Sequence, residues 1–404
     1  MKQLQAFEFE LEHDWEEECS MRQFAGACRF VFNKALAIQI ENYEAGYKYI
    51  SYVSMAKQLT QWRYSPETPW LSDAPCHSLQ HALKDLDRAF KNFFAKRTNF
   101  PRFKRKEQGS SFRYPDPAQI KLDQNNSRIF LPKLGWIHYR KSREVIGELR
   151  NVTIKNRGKK WFISIQTERE VTRLAQAATT AIGIDLGINR FATMNDGSYI
   201  APLNSFKKQQ QRLRHHQQEL SRKVKFSQNW KKEKAKVQKI HIGIANARKD
   251  YLHKITTTIS KNHALVCVED LQVSNMSKSA SGTKEKPGKN VRQKSGLNRS
   301  ILDPGWGMFR SQLAYKLQWN GGMLLTVPPQ NTSRTCPCCD HVSEDNRKTQ
   351  AQFKCVSCNY KNHADVVGAM NILERGHRLL ARGEMVHLGR SKKQEPTEVS
   401  QSFN

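Results

Sequence analysis

Hydrophobic and polar positions follow two different periods in the first hundred residues. Residues 4–10, LQAFEFE, alternate between apolar and polar side chains, which is typical of a short strand. Between residues 15 and 98 the apolar residues recur at intervals of three and four, and Gly46 supplies a helix stop signal. The sequence therefore predicts one opening strand followed by a helical domain. One of these amphipathic helices has an apolar face, expected to pack in a core, that consists of Leu79, Leu83, Leu86 and Phe90.

The next region, up to residue 178, returns to short alternating segments. These segments are separated by Gly and Asn and predict a small β-barrel or sheet, with a hairpin turn at residues 156–158. Basic and aromatic residues are interleaved at its start, at Arg102, Phe103 and Lys104. That mixture suits contacts to a nucleic-acid backbone combined with base stacking, although a mixed basic turn would show the same pattern.

A further domain is predicted to begin at Ala181. It starts with the strand AIGIDL, continues through a long basic helical stretch over 205–260, and reaches a buried strand in HALVCVEDL. Residues 274–299 are rich in Ser, Gly and Lys, which predicts a mobile loop. A helix in DPGWGMFRSQLAYKLQWNGG and a strand in MLLTVPP follow. After about Arg375 the apolar periodicity is lost, which predicts a frayed tail.

The charge of the chain indicates its class of partner. Lys and Arg number 67 against 37 Asp and Glu, which gives a net charge of +30, and residues 206–260 alone hold fifteen basic and three acidic residues. A basic stripe of this kind favours a nucleic acid, because each phosphate that it neutralises releases condensed counterions. The alternative is a solvated basic surface.

Composition also bears on location. The sequence contains no long uninterrupted apolar run of the kind that predicts a membrane span. Its N-terminal segment is acidic, where a secretory signal would be basic and then apolar. The predicted location is the cytoplasm, where a reducing environment favours metal sites over disulfides. Four cysteines lie singly in apolar surroundings and are predicted to be core residues: Cys19, Cys28, Cys76 and Cys267.

The other five cysteines form a metal-binding pattern. Cys336 and Cys339 make one C-x-x-C pair, and Cys355 and Cys358 make a second after fifteen intervening residues. This is the spacing of a four-thiolate zinc ribbon. Cys338 lies inside the first pair and is left as a spare thiol.

Acidic residues stand at two strands of the domain that is predicted to begin at Ala181. In the first strand, alternation puts Gly183, Asp185 and Gly187 on one face, so that the carboxylate is flanked by positions with room for a metal ion and a phosphate. An ordinary solvent-facing Asp is the alternative. The later strand ends in Glu269 and Asp270, which point in opposite directions, and the pattern leaves both open.

A third acid, Asp365, follows Cys358 by seven residues and opens the apolar helix VVGAMNIL. A helix N-cap is its alternative role. A carboxylate on a first strand, another on a later strand and an Asp at the start of a C-terminal helix together match the two-metal site of ribonuclease H-type folds. In such sites Mg²⁺ ions activate a water and stabilise the leaving oxygen during phosphodiester hydrolysis.

At this point several segments resemble one family. GIDLGINRFAT, VCVEDL, TSRTCPCC with FKCVSCNY, and ADVVGAMNIL are similar to the split RuvC motifs and inserted zinc ribbon of the TnpB family, the transposon-encoded RNA-guided DNA nucleases related to compact type V CRISPR effectors. CRFVFNKAL, FPRFKRK and LPKLGW resemble family segments too, so the likeness covers nearly the whole chain except the tail. Many relatives have Asn where this chain has Val367 and Ala where it has Gly368.

The resemblance implies a multidomain α+β architecture. It comprises an RNase H-like (RuvC) α/β nuclease domain with an inserted zinc ribbon, a wedge β-barrel and a helical recognition domain. The implied boundaries are 1–12 for the first barrel strand, 13–100 for the recognition domain, 101–178 for the rest of the barrel, 179–330 for the RuvC-like domain, 331–360 for the zinc ribbon, 361–380 for the last RuvC-like helix and 381–404 for a flexible tail.

The resemblance also implies roles for individual residues. Asp185, Glu269 (rather than Asp270) and Asp365 would be the catalytic acids that hold two Mg²⁺ ions, and the four paired cysteines would hold a structural Zn²⁺. The basic stretch would face nucleic acid, and residues 274–299 would act as a lid. The helix around Gln80 and Lys84 is the implied reader of a short motif next to the target.

The implied function is that of an RNA-guided DNA endonuclease of a mobile element. It would act as a monomer with one transposon-derived guide RNA and cut double-stranded target DNA beside the adjacent motif. The alternative is a nuclease-silent repressor that uses the same scaffold and guide to occupy DNA. A transposase acting alone is less favoured, because nothing here supplies the constellation of a tyrosine transposase.

Overall fold

The computed structural model describes residues 2–106, 109–158, 160–171 and 179–382. The chain divides into two compact units, Met1–Thr172 and Arg173–Asn404. Within the described ranges, none of the helices combines the length and the apolar character that crossing a membrane requires. The predicted tail beyond residue 382 and the stretch 172–178 lie outside the described residues.

Within the described residues, the first unit combines three α-helices with an antiparallel sheet. The helices are α1 (Trp15–Glu44), α2 (Tyr52–Tyr64) and α3 (Cys76–Phe94). The strands are β1 (Lys2–Glu12), β2 (Ser111–Tyr114), β3 (Lys121–Asp123), β4 (Arg128–Leu131), β5 (Gly135–Tyr139), β6 (Glu148–Arg157) and β7 (Lys160–Glu170). Their order is β2-β6-β7-β1-β5-β4-β3, so the opening strand pairs with strands more than a hundred residues away. No ladder joins β2 to β3 within the described residues, so closure into a barrel stays a prediction.

Local sequence explains the helices of this unit. At the start of α1 the Asp14 carboxylate accepts the Glu17 N–H at 2.7 Å, and the Glu17 carboxylate accepts the Asp14 N–H at 3.0 Å, which is a capping box. The predicted apolar face of α3 is buried in the core, which confirms the helical spacing. That burial removes the face from water and is the main stabilising contribution of the helix.

The second unit contains a five-stranded mixed sheet. Its strands are β8 (Ala181–Leu186), β9 (Ala192–Met194), β10 (Tyr199–Ile200), β11 (Leu265–Glu269) and β12 (Met323–Val327). The order is β10-β9-β8-β11-β12. Strands β8, β11 and β12 pair in parallel, whereas β9 pairs antiparallel to β8 and β10 pairs antiparallel to β9. Because parallel strands end at the same edge, the carboxyl ends of β8 and β11 bring their terminal acids together.

Helices surround this sheet, and a small ribbon interrupts the chain before the last one. The helices are α4 (Ser205–Ser221), α5 (Gln228–Asn262), α6 (Val273–Met276), α7 (Val291–Leu302), α8 (Trp306–Asn320) and α9 (Ala364–Ala381). The ribbon contains the strand pair β13 (Gln352–Lys354) and β14 (Lys361–His363).

Two predictions about this unit are wrong in part. The predicted loop over 274–299 is helical from Val291 onward, because Lys294 and Asn298 donate to carbonyls at the end of α6 and fix the helix there. The predicted fraying after Arg375 does not begin there, since α9 continues to Ala381. Composition and periodicity missed both features because tertiary contacts stabilise these segments.

The isolated cysteines divide into two kinds. Cys28 and Cys267 are buried, as predicted for core residues. Cys19 and Cys76 are only partly buried, so the prediction is wrong for them. Both lie near the beginning of a helix, at α1 and α3, where the apolar face does not enclose them.

Candidate active site and zinc centre

The four paired cysteines meet in one cluster. All four sulfurs lie within 4.8 Å of one another, and the Cys336–Cys358 and Cys339–Cys355 sulfurs are 3.5 and 3.6 Å apart. A tetrahedral Zn²⁺ with Zn–S bonds of about 2.3 Å requires S···S separations of about 3.8 Å, so the four thiolates are a donor set that fits zinc. Cys338 is exposed and stands outside the cluster, as its position inside the first pair predicts.

A buried asparagine and a small apolar core support this cluster. The Asn346 amide donates to the carbonyls of Arg334 and His341, and its oxygen accepts the Val356 N–H, so it ties the two halves of the ribbon together. Val367 of α9 is fully buried in the same apolar group as two of the cysteines. The ribbon and the last helix therefore share a core.

Three acids from distant parts of the sequence lie close together in the second unit. Asp185 is near the end of β8, Glu269 ends β11, and Asp365 lies in the first turn of α9. Burial, and then the negative charges of the other two acids, raise the pKa of Asp185 to about 7. The acids gather less tightly than the thiolates: among the described residues, the cysteines alone form a group of three or more potential metal ligands within 4.8 Å.

Glu269 and Asp270 take different environments. A Glu269 carboxylate oxygen accepts the Thr332 hydroxyl at 2.5 Å, and burial raises the pKa of Glu269. Asp270 instead pairs with Arg310 at 2.5 Å in a solvent-accessible ion pair. Of the two strand-end acids, only Glu269 raises the pKa of Asp185.

The N-cap interpretation of Asp365 is wrong. His363 caps α9, because its ring nitrogen Nδ1 accepts the Asp365 N–H at 3.2 Å. The Asp365 carboxylate lies 3.4 Å from the Arg347 guanidinium. Its place in the first turn of a helix also stabilises its negative charge.

Three residues that the sequence did not single out complete the polar environment. Thr332 holds Glu269, while Arg347, from the loop between the cysteine pairs, opposes the pKa rise of both Asp185 and Glu269. Arg375 of α9 acts on Glu269 in the same way and donates to two carbonyls of the segment before the ribbon. Each is an ordinary polar residue in its local sequence, so only the fold reveals it.

The glycines beside Asp185 do not leave the open space that the sequence predicts. A Cβ at Gly183 would lie 2.2 Å from the Ala369 carbonyl oxygen of α9. A Cβ at Gly187 would lie 2.9 Å from the Arg190 carbonyl oxygen, across a tight turn. The missing side chains allow close backbone packing, so the interpretation of these positions as room for a metal and a phosphate is wrong.

Glycines on α9 complete this close approach. A Cβ at Gly368 would lie 3.0 Å from an Asp185 carboxylate oxygen, so the helix backbone lies directly against the acid. A Cβ at Gly376 would lie 2.2 Å from the buried Cys267 sulfur. Helix α9 therefore packs tightly on β8 and β11, and this packing holds Asp365 beside the acids of those strands.

The candidate nucleic-acid residues on α3 are accessible. Gln80 is partly exposed and Lys84 is exposed. The Lys84 ammonium lies 5.5 Å from the centre of the Tyr52 ring. The structure leaves both side chains available to a partner.

The candidates before β2 behave less uniformly. Arg102 and Phe103 are exposed. Lys104 is exposed as a residue, but its ammonium lies 4.0 Å from the centre of the Phe32 ring, and its backbone N–H and C=O bond to the Asn33 side chain. Burial of the ammonium lowers the pKa of Lys104. Of the three, Lys104 is the one that the protein itself engages.

Comparisons with known proteins bear on this arrangement. The family described as "Probable transposase" matches residues 164–280, and the family described as "Cas12f1-like, TNB domain" matches residues 306–372. The "Putative RNA-guided DNA endonuclease InsQ" of Escherichia coli (strain K12) is 57% identical over 402 residues, which is 100% of both chains. The chain belongs to the TnpB family. A relative of the same description from Streptomyces pristinaespiralis is 33% identical over 97% of this chain and 96% of its own.

This TnpB-family chain is similar in fold to a solved structure of a compact CRISPR effector, Cas12f1. The Cas12f1 chain in a complex with sgRNA and target DNA has a TM-score of 0.53 at 14% identity, covering 88% of this chain and 82% of that one. A third family, described as "Helix-turn-helix domain", matches residues 1–48. In this chain those residues form β1 and the single 30-residue helix α1, so the description does not fit their structure.

Proposed function

We propose that this TnpB-family chain is an RNA-guided DNA endonuclease that hydrolyses phosphodiester bonds with the help of divalent metal ions. The observation that carries the proposal is the crowding of Asp185, Glu269 and Asp365 at the carboxyl ends of the parallel strands β8 and β11. Burial and then the negative charges of Glu269 and Asp365 raise the pKa of Asp185, and a bound cation would relieve the repulsion among the three carboxylates. The names of its full-length relatives support RNA guidance and DNA as the substrate.

The donor set fits Mg²⁺, which prefers carboxylate oxygens. Two Mg²⁺ ions held by the three acids would activate a water and stabilise the leaving oxygen. The chain's own groups prepare the site: Thr332 orients Glu269, and α9 presents Asp365. The Arg347 guanidinium offers N–H donors to a phosphate and partly balances the carboxylates before substrate enters.

The strand order of the second unit supports an RNase H-like (RuvC) domain, with β8 as its first strand and α9 as its last helix. We infer that the sheet of the first unit is the wedge β-barrel and that α1 to α3 form the recognition domain, with the boundaries predicted above. Gln80 and Lys84 are the proposed readers of the adjacent motif. Arg102 and Phe103, with Lys104 as a weaker candidate, are proposed backbone and stacking contacts.

Zinc at the four cysteines has a structural role in this proposal. Four thiolates fill the tetrahedral positions of the metal and leave none for water. The ribbon that they close carries Arg347 and shares its core with α9. Zinc would therefore act on cleavage through the position of these groups.

The partners follow from charge. A net charge of +30 exceeds what a short DNA contact uses, and a guide RNA would offset the self-repulsion of the basic helices. We propose one guide RNA for each protein monomer and double-stranded target DNA, in the cytoplasm. Protein stripped of RNA is expected to lose sequence-specific cutting.

The test replaces each proposed acid by Ala and measures cutting and binding of one matched target, with its adjacent motif, in Mg²⁺. Loss of any of Asp185, Glu269 or Asp365 removes a metal ligand and is expected to lower cleavage by several orders of magnitude. Target binding should persist, because base pairing and phosphate contacts carry it. Asp270→Ala is the control, since that acid pairs with Arg310, and it should retain most activity.

The outcomes separate the two candidate functions. Full cutting by Asp365→Ala would remove that residue from the site. Wild-type protein that binds guided targets yet never cuts them would replace the endonuclease with the nuclease-silent repressor.

A further inference from the structure

The turn between α4 and α5 exposes apolar side chains to solvent. Val224 is 79% exposed and Phe226 is 59% exposed, and the Phe226 ring lies 5.4 Å from that of Trp230 on the first turn of α5. We call residues 222–236 the hairpin tip. Exposed apolar groups gathered at the end of a long helical hairpin indicate a contact surface.

The hairpin tip is also strongly basic. It contains seven Lys and Arg residues and a single acid, Glu233. That acid is already paired, because the Lys236 ammonium lies 3.1 Å from one carboxylate oxygen and the His216 ring nitrogen Nδ1 lies 2.5 Å from the other. The ammonium groups of Lys225 and Lys234 lie 5.2 and 4.7 Å from the Phe226 and Trp230 rings. Aromatic faces and cations therefore share one surface, a combination that suits bases and phosphates.

The backbone at Phe226 is in an unfavourable conformation. Its φ is +70°, in the left-handed region, whereas the other non-glycine residues with positive φ in the described ranges are Asn, Asp, Ser and Lys. A bulky side chain is rarely found in that region, and strain of this kind concentrates at functional positions. An aromatic ring held there at the expense of backbone strain indicates that the ring itself is needed.

A purely local role would be a hydrophobic staple at the start of α5, in which the residue before the cap packs against the fourth helical residue. Here that fourth residue is Lys231, and Phe226 contacts Trp230 instead. The turn has its own support, since the Ser227 hydroxyl accepts the Trp230 N–H and the Ser227 N–H bonds to the Val224 carbonyl. The Phe226 ring is therefore not required to form the turn.

We propose that the hairpin tip binds guide RNA by stacking an unpaired base on Phe226, while the surrounding lysines contact the adjacent phosphates. RNA is favoured over target DNA because proteins read RNA chiefly at loops and bulges whose bases are free to stack, whereas bases in duplex DNA are already stacked. The inference rests on the proposed RNA-guided function and adds a site outside the three acids.

The experiment compares Phe226→Gly and Phe226→Asn with the wild-type chain. Both residues accept a positive φ, so each variant removes the ring and relieves the strain. The probe is the RNA that copurifies with wild-type protein, isolated and rebound, with single-stranded DNA of the same sequence as the second arm. We expect RNA affinity to fall roughly 5- to 150-fold, the equivalent of one lost base stack, with an unchanged or higher melting temperature. Tyr64→Ala, an exposed aromatic of α2, is the matched control.

Each possible result either supports or contradicts the proposed RNA-binding site. Weaker RNA binding with retained stability, together with ultraviolet crosslinking of RNA to the Phe226 peptide, supports the site. Unchanged RNA affinity, a loss confined to the DNA arm, or a lower melting temperature without an RNA effect overturns it. Asp185→Ala should bind the RNA like wild type, so failure of the nuclease proposal appears in cutting assays and failure of this site appears in RNA binding.

Discussion

Gly183 is the position at which one added methyl group should separate the proposed catalytic acids. It lies on β8 two residues before Asp185, and the helix that carries Asp365 packs directly on it. In Gly183→Ala the new Cβ would lie 2.2 Å from the Ala369 carbonyl oxygen and 2.8 Å from the Leu373 nitrogen. Carbon and oxygen atoms in contact are about 3.3 Å apart, so α9 must retreat by about 1 Å.

This displacement sets the expected magnitude. Overpacking of a tight contact costs about 1–3 kcal/mol of stability, and a shift of about 1 Å in a catalytic group lowers the rate by about 10²-fold. We expect Gly183→Ala to remain folded with a lower melting temperature and to cut a matched target about a hundred-fold more slowly in Mg²⁺. Binding of guide RNA and target should change little, because the acids do not carry affinity.

The assay is the single-turnover cleavage rate of the purified ribonucleoprotein, with target binding measured in parallel. Gly376→Ala is the matched control, because Gly376 lies in the same helix α9. Its added Cβ would lie 2.2 Å from the sulfur of Cys267 on β11, which is an equally tight contact. It lies eleven residues beyond Asp365, or about 16 Å along the helix axis, so it should lower stability with a smaller loss of cutting. Wild-type cleavage and stability in Gly183→Ala would refute the inferred packing of α9.

Two further predictions concern the metals and the charge of the site. Metal analysis of the wild-type protein should find near-stoichiometric zinc, and a zinc-free wild-type protein would refute the assignment. The Cys339→Ser variant should lose the zinc, whereas the Cys338→Ser variant should keep it. The pKa of Asp185 is raised to about 7 in the folded chain and is about 3.9 when unfolded, so the native state binds the additional proton between these values. Stability without Mg²⁺ should therefore fall as pH rises from about 4 to 7, and this contribution should vanish in Asp185→Asn. Thermal unfolding in Mg²⁺-free buffer checks this, and an unchanged pH dependence in the variant would contradict it.

Features that depend on near neighbours along the chain were predictable. The 3.6-residue period of α3 places its apolar face in the core, and the alternation of β1 marks a strand, because each pattern records which side of an element meets water. The two C-x-x-C pairs likewise predict a shared cluster. In these cases the residues lie close together in the chain, so their spacing already constrains which side chains share a face or a metal-binding cluster.

The electrostatic class of the partner also follows from sequence, since net charge does not depend on the fold. The positions of the acids were predictable only as candidates. Alternation left Glu269 and Asp270 both open, and the family resemblance, not the pattern, favoured Glu269. The tertiary structure separates them, because Thr332 and the other acids surround one while Arg310 pairs with the other.

Sequence by itself determined the strands and helices with strong periodicity, the cysteine quartet and the basic character of the chain, because these depend on local spacing and composition. Only the tertiary structure decided that Gly183 is packing space for α9, that Arg347 reaches the acids from the ribbon, and that α9 continues past Arg375. Each of these depends on contact between residues far apart in the chain. Such contacts arise when elements pack, and no local pattern encodes which backbone will lie against a glycine.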